Sequence, residues 1–346
     1  MKQTLEQLLK TYDYALPEAR IAQEPASPRD SAKLLIYDRA TGAATENTFA
    51  HIGNYLPQNA VLVFNQTKVL PARLVVTKPT GGTARVLYIG KKDCAIRALS
   101  DRKLIVGTDV RIADGLFLTV IKQEEKYYLL KPSFPLDQLE KVLDRYGITP
   151  IPPYIKKSPL KEGELRKKYQ TIFAKHAGSV AAPTASLHFT DRLLKKLHRQ
   201  GIDMCFVTLH VNIGTFAPLT QEHLDTGALH TESYEIAKKT AAFLNKAKKQ
   251  GRPIIGVGTT VVRTLESATQ GTDKLKKLSG ETDIFIREGY QFAYIDGMVT
   301  NFHVPQSSLL MLVAALIGKE RLFKLYRLAI GKKFRFFSFG DGMLIR

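Results

Sequence analysis

Tryptophan is absent from this 346-residue chain, and cysteine occurs only at Cys94 and Cys205, without metal-site or redox spacing. That excludes a disulfide framework and a cysteine-built metal centre, and it points to a reducing cytoplasm. Long apolar runs are missing as well. None reaches the roughly 18–20 residues that span a bilayer, and the leading MKQTLEQLLKTYDY has neither a signal-peptide core nor a cleavage pattern. The apolar run at 308–317 is too short to span and reads as a buried helix. Internal repeats and low-complexity linkers do not occur. No HExxH, paired CxxC, Walker loop, G-x-S-x-G or GxGxxG is present, which argues against the common zinc, phosphate-hydrolase, serine-hydrolase and dinucleotide readings.

Acidic residues are also scarce. Against 51 Lys and Arg stand 32 Asp and Glu, leaving a net charge of +19. Basic residues concentrate at 156–175, 192–199, 238–252 and 319–335. Such a balance attracts polyanions by neutralising phosphates and releasing counterions. Solvated helix faces are the plainer explanation of the same charge. The 14 Tyr and 17 Phe leave room for base stacking without demanding it. Apolar residues make up 44%, enough for a substantial core, and the length suits two domains or one large domain with an insertion.

A short helix over 2–12 leads into a proline-punctuated run at 16–30. Residues 34–37 and 60–64 read as strands. Between about 72 and 131 the texture changes to short β-rich runs at 74–77, 84–89, 95–99, 109–112, 116–121 and 127–130. Gly81-Gly82, Gly90 and Asp114-Gly115 punctuate them. Strands spaced this evenly predict a small antiparallel barrel. Helical spacing follows at 136–146, then Pro150, Pro152 and Pro153, then a basic helix over 162–175. Beyond it strands alternate with helices: strand 204–211, helix 233–250, strand 253–257, helix 260–269. That alternation predicts an α/β layer. The expected architecture is a discontinuous α/β domain, 1–71 with 150–346, interrupted by an inserted barrel at 72–149.

Candidate site residues cluster where strands give way to helices. GVGTTVVRTLESA at 256–268 turns sharply at Gly256 and Gly258, and it offers amides at a helix start with the hydroxyls of Thr259 and Thr260. Arg263 and Glu266 follow on one face; the alternative is a capped helix with a surface ion pair. SVAAPTASLHFT (179–190) ends near His188. TLHVNIGTF (208–216) carries His210 and a Gly214-Thr215 turn. A lone histidine there is more often a core residue, but two beside hydroxyl-rich turns favour catalysis. LHTESYEI (229–236) is explained by helix capping through Thr231 or Ser233. TNFHVPQSSL (300–309) sets Asn301 and His303 on one face of a strand before a helix entry. FFSFGDGM (336–343) places Asp341 between glycines, a close-approach feature.

Taken in order, DYALPEARIAQEPASPRDSAKLL, LVFNQTKVLPARL, KYQTIFA, GSVAAPTASLHFT, VTLHVNIGTF, LHTESYEI, VGTTVVRTLE, TDIFI with GYQF, TNFHVPQSSLLMLVAA and FSFGDGML resemble the S-adenosylmethionine:tRNA ribosyltransferase-isomerase family of queuosine biosynthesis. The resemblance runs from about Asp13 to Ile345. The chain departs from it at Ser186, Asn212 and Ile213, where the family commonly has smaller residues. The resemblance implies an α/β domain with an inserted barrel and no metal. It also implies transfer of the ribosyl portion of S-adenosylmethionine, as co-substrate, onto a 7-deazaguanine aminomethyl group in the tRNA anticodon. Removing a proton beside the sulfonium needs a base, and adenine needs protonation to leave. His188 and His210 are the leading candidates, then His303. On the same basis Thr259, Thr260 and Arg263, with Glu266 beside them, are expected to hold the methionine carboxylate or an anticodon phosphate. Asp283, Tyr290 and Asn301 would contact the deazaguanine or the ribose, with Thr215, Arg29 and Asp30 completing the pocket. A cytoplasmic monomer docking the tRNA anticodon arm is the overall expectation.

Overall fold

Runs such as VLVFN, IIGV and GMVTN are apolar or uncharged at every position, so they can be buried on both faces, as strands at the centre of a layered α/β sheet are. In the computed structural model of the chain, which describes residues 4–212 and 218–346, they form the middle of a nine-stranded sheet.

In chain order the strands are β1 Lys33–Tyr37, β2 Ala44–Thr48, β3 Val61–Asn65, β4 Thr67–Val69, β5 Arg73–Thr77, β6 Thr83–Lys92, β7 Ala95–Ser100, β8 Asp109–Ala113, β9 Leu116–Glu124 and β10 Tyr127–Pro132. They continue as β11 Gly147–Ile148, β12 His176–Ser179, β13 Asp203–Leu209, β14 Ala228–Glu235, β15 Ile254–Val257, β16 Ser279–Ile284, β17 Gly297–Asn301 and β18 Gly342–Ile345. The helices are α1 Leu5–Thr11, α2 Leu139–Tyr146, α3 Glu162–Lys168, α4 Asp191–Arg199, α5 Gln221–Thr226, α6 Lys238–Lys249, α7 Thr259–Thr269, α8 Ser308–Ile317 and α9 Lys319–Gly331.

The large sheet runs β16-β14-β13-β3-β15-β17-β18-β1-β2. Strands β13, β3, β15 and β17 are mutually parallel, while β17 meets β18 antiparallel, so the sheet is mixed. Its two faces carry separate apolar clusters, one under α6, α7, α8 and α9 and one under α4. Strands β5-β6-β7-β10-β9-β8 form a second sheet that closes through β5–β8 into a six-stranded antiparallel barrel with its own core. The tight turn at Asp114-Gly115 is present, with Gly115 at φ 73°. Strands β4 and β12, flanking the barrel in sequence, pair with each other in parallel. Among the described residues no helix is long and apolar enough to cross a membrane.

Three expectations shift. Residues 233–250 are not one helix: Ser233, Tyr234 and Glu235 lie in β14, paired with β16, and α6 begins at Lys238. The alternation there is real, but a buried glutamate, Glu232, occupies one inward position and disguises it. Helix α3 stops at Lys168 instead of continuing to 175, because the Arg29 guanidinium bonds the carbonyls of Lys167, Lys168 and Gln170 and ends it. His303 lies two residues past the end of β17, not within it.

Candidate active site

The four parallel strands β13, β3, β15 and β17 all end at the same edge of the sheet, at Leu209, Asn65, Val257 and Asn301. In open α/β sheets a crevice outside the carboxyl ends of the strands is the usual place for a ligand. Such a cleft is present here, with about 640 Å³ of empty space. Val211, the turn Gly258–Thr260 and the stretch Thr300–Val304 line it from the strand ends. Ala182–Ala185 close one side, and Tyr154, Phe337 and Ser338 the other.

Local chemistry builds each wall. Gly258 adopts φ 95°, a conformation open to glycine, and it turns β15 straight into α7. The α7 start meets the cleft at Thr259 and Thr260. Asn65 ties three segments together. Its Oδ1 accepts from the Leu209 and Thr67 amides, each at 3.1 Å, and its Nδ2 donates to Leu209 O at 2.9 Å and Thr260 Oγ1 at 3.4 Å. The segment from Phe336 to Met343 folds back so that Asp341 accepts from the backbone amides of Lys33 and Arg335. That delivers Ser338 to a 2.6 Å hydrogen bond with the Tyr154 hydroxyl.

The three histidines take different positions. His303 lines the cleft, with Nε2 2.7 Å from Thr300 Oγ1. Its backbone is clamped, the amide donating to the Tyr326 hydroxyl and the carbonyl accepting from Tyr14. Desolvation pulls its pKa down to about 3, so the ring is neutral at neutral pH. His188 lies behind the cleft, stacked on Phe49 at 4.1 Å. Asn301 Nδ2 donates to its Nε2 at 3.4 Å, and the carbonyl of Arg29 accepts from the ring. Burial first, then the Arg335 and Arg29 charges, depress His188 to about 3 as well. His210 is apart from both. It points away from the side on which Val211 meets the cleft, packs its ring over Gly178 and bonds Thr67 Oγ1 at 2.9 Å. Thr67 in turn meets Ser179 Oγ at 2.7 Å. Burial and the neighbouring His176 lower the His210 pKa.

Asn301 therefore joins cleft to support, since Thr184 Oγ1 donates to its Oδ1 at 2.8 Å while its amide reaches His188. Arg263 is almost wholly buried one turn into α7 and ion-paired with Glu232, also buried. Its Nε and Nη2 find no partner among the described residues. The pair is therefore internal, not the surface ion pair with Glu266. Glu266 accepts instead from Tyr290 Oη and from the amides of Ala293, Tyr294 and Ile295, pinning that loop to α7. Its carboxylate and the Tyr290 hydroxyl are thus bound to each other and to the chain. Asp283 is exposed on β16, the edge strand, and does not line the cleft. Arg29 ends α3, and Asp30, buried, bonds Thr190 and Arg192 at 3.0 and 2.9 Å; both brace the His188 wall from behind. Thr215 lies outside the described residues.

Tyr154, Thr184, Asn65 and Glu232 also belong to the site or its support, although none of them stands out in the sequence motifs. The Pro152-Pro153 stiffening before Tyr154 was the available signal; for Glu232 nothing local marks the partner, which comes from α7.

A family model described as queuosine biosynthesis protein matches residues 9–345. The chain is 42% identical over 344 residues to the S-adenosylmethionine:tRNA ribosyltransferase-isomerase of Halothermothrix orenii, covering 97% of this chain and 99% of that one. It is 43% identical over 341 residues to the protein of the same name from Carboxydothermus hydrogenoformans, at 97% and 99% coverage. The crystal structure of the S-adenosylmethionine tRNA ribosyltransferase from Thermotoga maritima aligns with a TM-score of 0.56 and 31% identity. It covers 97% of this chain and all of that one.

Proposed function

The chain belongs to the queuosine biosynthesis protein family, and on that premise we propose that it is an S-adenosylmethionine:tRNA ribosyltransferase-isomerase. It moves and isomerises the ribosyl group of S-adenosylmethionine onto the aminomethyl-7-deazaguanine at the tRNA wobble position. Epoxyqueuosine-tRNA forms, and adenine and methionine leave. The observation that carries this reading is the cleft at the ends of four parallel strands, where a neutral histidine, an amide side chain and a helix start meet in a largely apolar wall.

His303 is the proton acceptor in this scheme. The sulfonium acidifies the ribose 5′ carbon, and a neutral imidazole at the cleft wall takes that proton. Its conjugate acid is disfavoured by the same desolvation that lowers its pKa, so it hands the proton on to the departing adenine. The attacking amine loses a second proton, which is the one released overall. The start of α7 with Thr259 and Thr260 receives the methionine carboxylate, and Arg263, charge-balanced by Glu232, supports it from below. Asn301 and Thr184 meet the ribose hydroxyls. His188, Arg29, Asp30 and Glu266 act as positioning residues behind these contacts, while His210, Asp283 and Tyr290 take no part in proton transfer. The enzyme works as a cytoplasmic monomer on the anticodon arm, whose wobble base is splayed into the cleft, and the basic helices hold the phosphates of the arm.

The test is to incubate the protein with S-adenosylmethionine and tRNA bearing the aminomethyl-deazaguanine, and to follow adenine release and tRNA mass. Free adenine with a ribosyl-sized mass gain is expected, and His303→Ala should lose at least about 100-fold in rate. A methyl-sized gain with adenosylhomocysteine, or no change in the tRNA, refutes the assignment. Near-normal turnover by His303→Ala removes the proposed base.

A further inference from the structure

Val211 lines the active-site cleft, and the next residue, Asn212, lines a second one with about 1000 Å³ of empty space. Neighbouring Cα atoms are about 3.8 Å apart, so the two clefts flank one short stretch of chain. The second lies between the outer face of the barrel and α5 with the start of β14. The barrel contributes Arg97 from β7 and Tyr127 from β10; the other wall contributes His223 and His230.

Arg97 points outward, since its neighbours Ile96 and Ala98 fill the barrel core. Its guanidinium lies 3.9 Å from the centroid of the Tyr127 ring, and the Lys126 ammonium flanks the same ring at 5.3 Å. No carboxylate pairs with Arg97 among the described residues, and its Nε is buried without a hydrogen-bond partner there. His230 Nε2 is orphaned in the same way. His223 accepts the Thr220 amide at Nδ1, so its proton sits on Nε2, and its ring meets His230 edge-on at 4.8 Å. Among the described residues lining the cleft the acidic one, Glu222, is exposed at the rim.

Buried donors left without acceptors are costly unless a ligand supplies them. A guanidinium stacked on a ring keeps its edge free for a forked contact with phosphate. The chain carries +19, and the first cleft, met one residue earlier in the chain at Val211, is where a splayed nucleotide would react. We infer that the second cleft holds a backbone phosphate of the RNA strand flanking the reacting nucleotide, with Arg97 as its ligand, an inference that rests on the tRNA-modifying function proposed above. The barrel is then part of the substrate-docking surface, and the Arg97–Tyr127 stack fixes the strand beside the cleft where the base is modified.

The test measures binding of an anticodon stem-loop RNA by fluorescence anisotropy across a salt series, with S-adenosylmethionine binding followed separately by calorimetry. Arg97→Ala should weaken RNA binding by about tenfold. It should also flatten the slope of log K against log salt by about 0.7–0.9, with S-adenosylmethionine affinity unchanged. Arg97→Lys should restore the slope but only part of the affinity. His230→Ala, which removes a polar ring without removing a cation, should weaken binding with the slope intact. If Arg97→Ala misfolds, the Arg97→Lys and His230→Ala pair decides the matter, and wild-type affinity in both overturns the inference. So does wild-type affinity and slope in a folded Arg97→Ala. A wild-type protein that binds no stem-loop and releases no adenine overturns the functional reading together with this one. A wild type that binds and reacts beside an equally competent Arg97→Ala overturns this one alone.

Discussion

Stability should fall on acidification through His188, by an amount the structure sets. The ring is 5% exposed, stacked on Phe49, and held neutral with a pKa near 3, against about 6.5 for a free imidazole. Between those values the unfolded chain binds a proton that the folded chain refuses. Stability therefore falls as pH drops below about 6.5, at up to about 1.36 kcal/mol per pH unit. From pH 7 to pH 5 this one group removes about 2 kcal/mol, a loss that stays the same for any folded value well below 5. Other groups titrate in the same window, His303 and His210 among them, so the comparison is made against His188→Gln. Glutamine can still accept from Asn301 and donate to the Arg29 carbonyl, and it does not ionise. Urea unfolding of both proteins at the two pH values isolates the histidine. The wild type should lose about 2 kcal/mol more than the variant. Equal pH dependence would mean that His188 titrates normally in the folded protein, and the picture of a dry, neutral wall behind Asn301 would be wrong.

Arg263→Met should cost about 3–5 kcal/mol by leaving the Glu232 carboxylate buried opposite an apolar side chain. The double variant with Glu232→Gln should recover most of that in denaturant titration, yet bind S-adenosylmethionine at least about tenfold more weakly if Arg263 supports the carboxylate. Gly178→Ala places a methyl 2.6 Å from His210 Nδ1 at φ 151°, and should lower stability by about 1–3 kcal/mol. Adding His210→Ala should relieve the clash part of that loss, and adenine release should stay near wild type, as expected if His210 moves no proton.

Much of the architecture was readable from residue order. Alternating short strands broken by Gly81-Gly82, Gly90 and Asp114-Gly115 announce a barrel because each break is local chemistry. The uncharged, mostly apolar strands β3, β15 and β17 announce a buried sheet for the same reason. Strand β14 was hidden because its inward row contains Glu232, whose partner lies 31 residues away on α7. The site was legible in part. Gly258–Thr260, Asn301 and His303 sit at strand ends, which their motifs indicate. The split between His303 in the cleft, His188 behind it and His210 on the far face depends on strand pairing and on Gly178, features no local pattern displays. Nor does the saturation of Glu266 by three backbone amides, which come from a loop 27 to 29 residues further along.

Strand β18 lies between β17 and β1, parallel to β1 and antiparallel to β17. The hairpin of β1 with β2 thus joins the rest of the sheet through a strand distant from it in sequence. Contact order at this seam is high, and a folding chain pays its loop-closure entropy there before the hydrogen bonds are repaid. Until β18 docks, Asp341 cannot hold Lys33 and Arg335, and one wall of the active site is unbuilt. Docking of β18 is therefore the step that completes the cleft, and a molecule in which that strand is undocked lacks one of its walls.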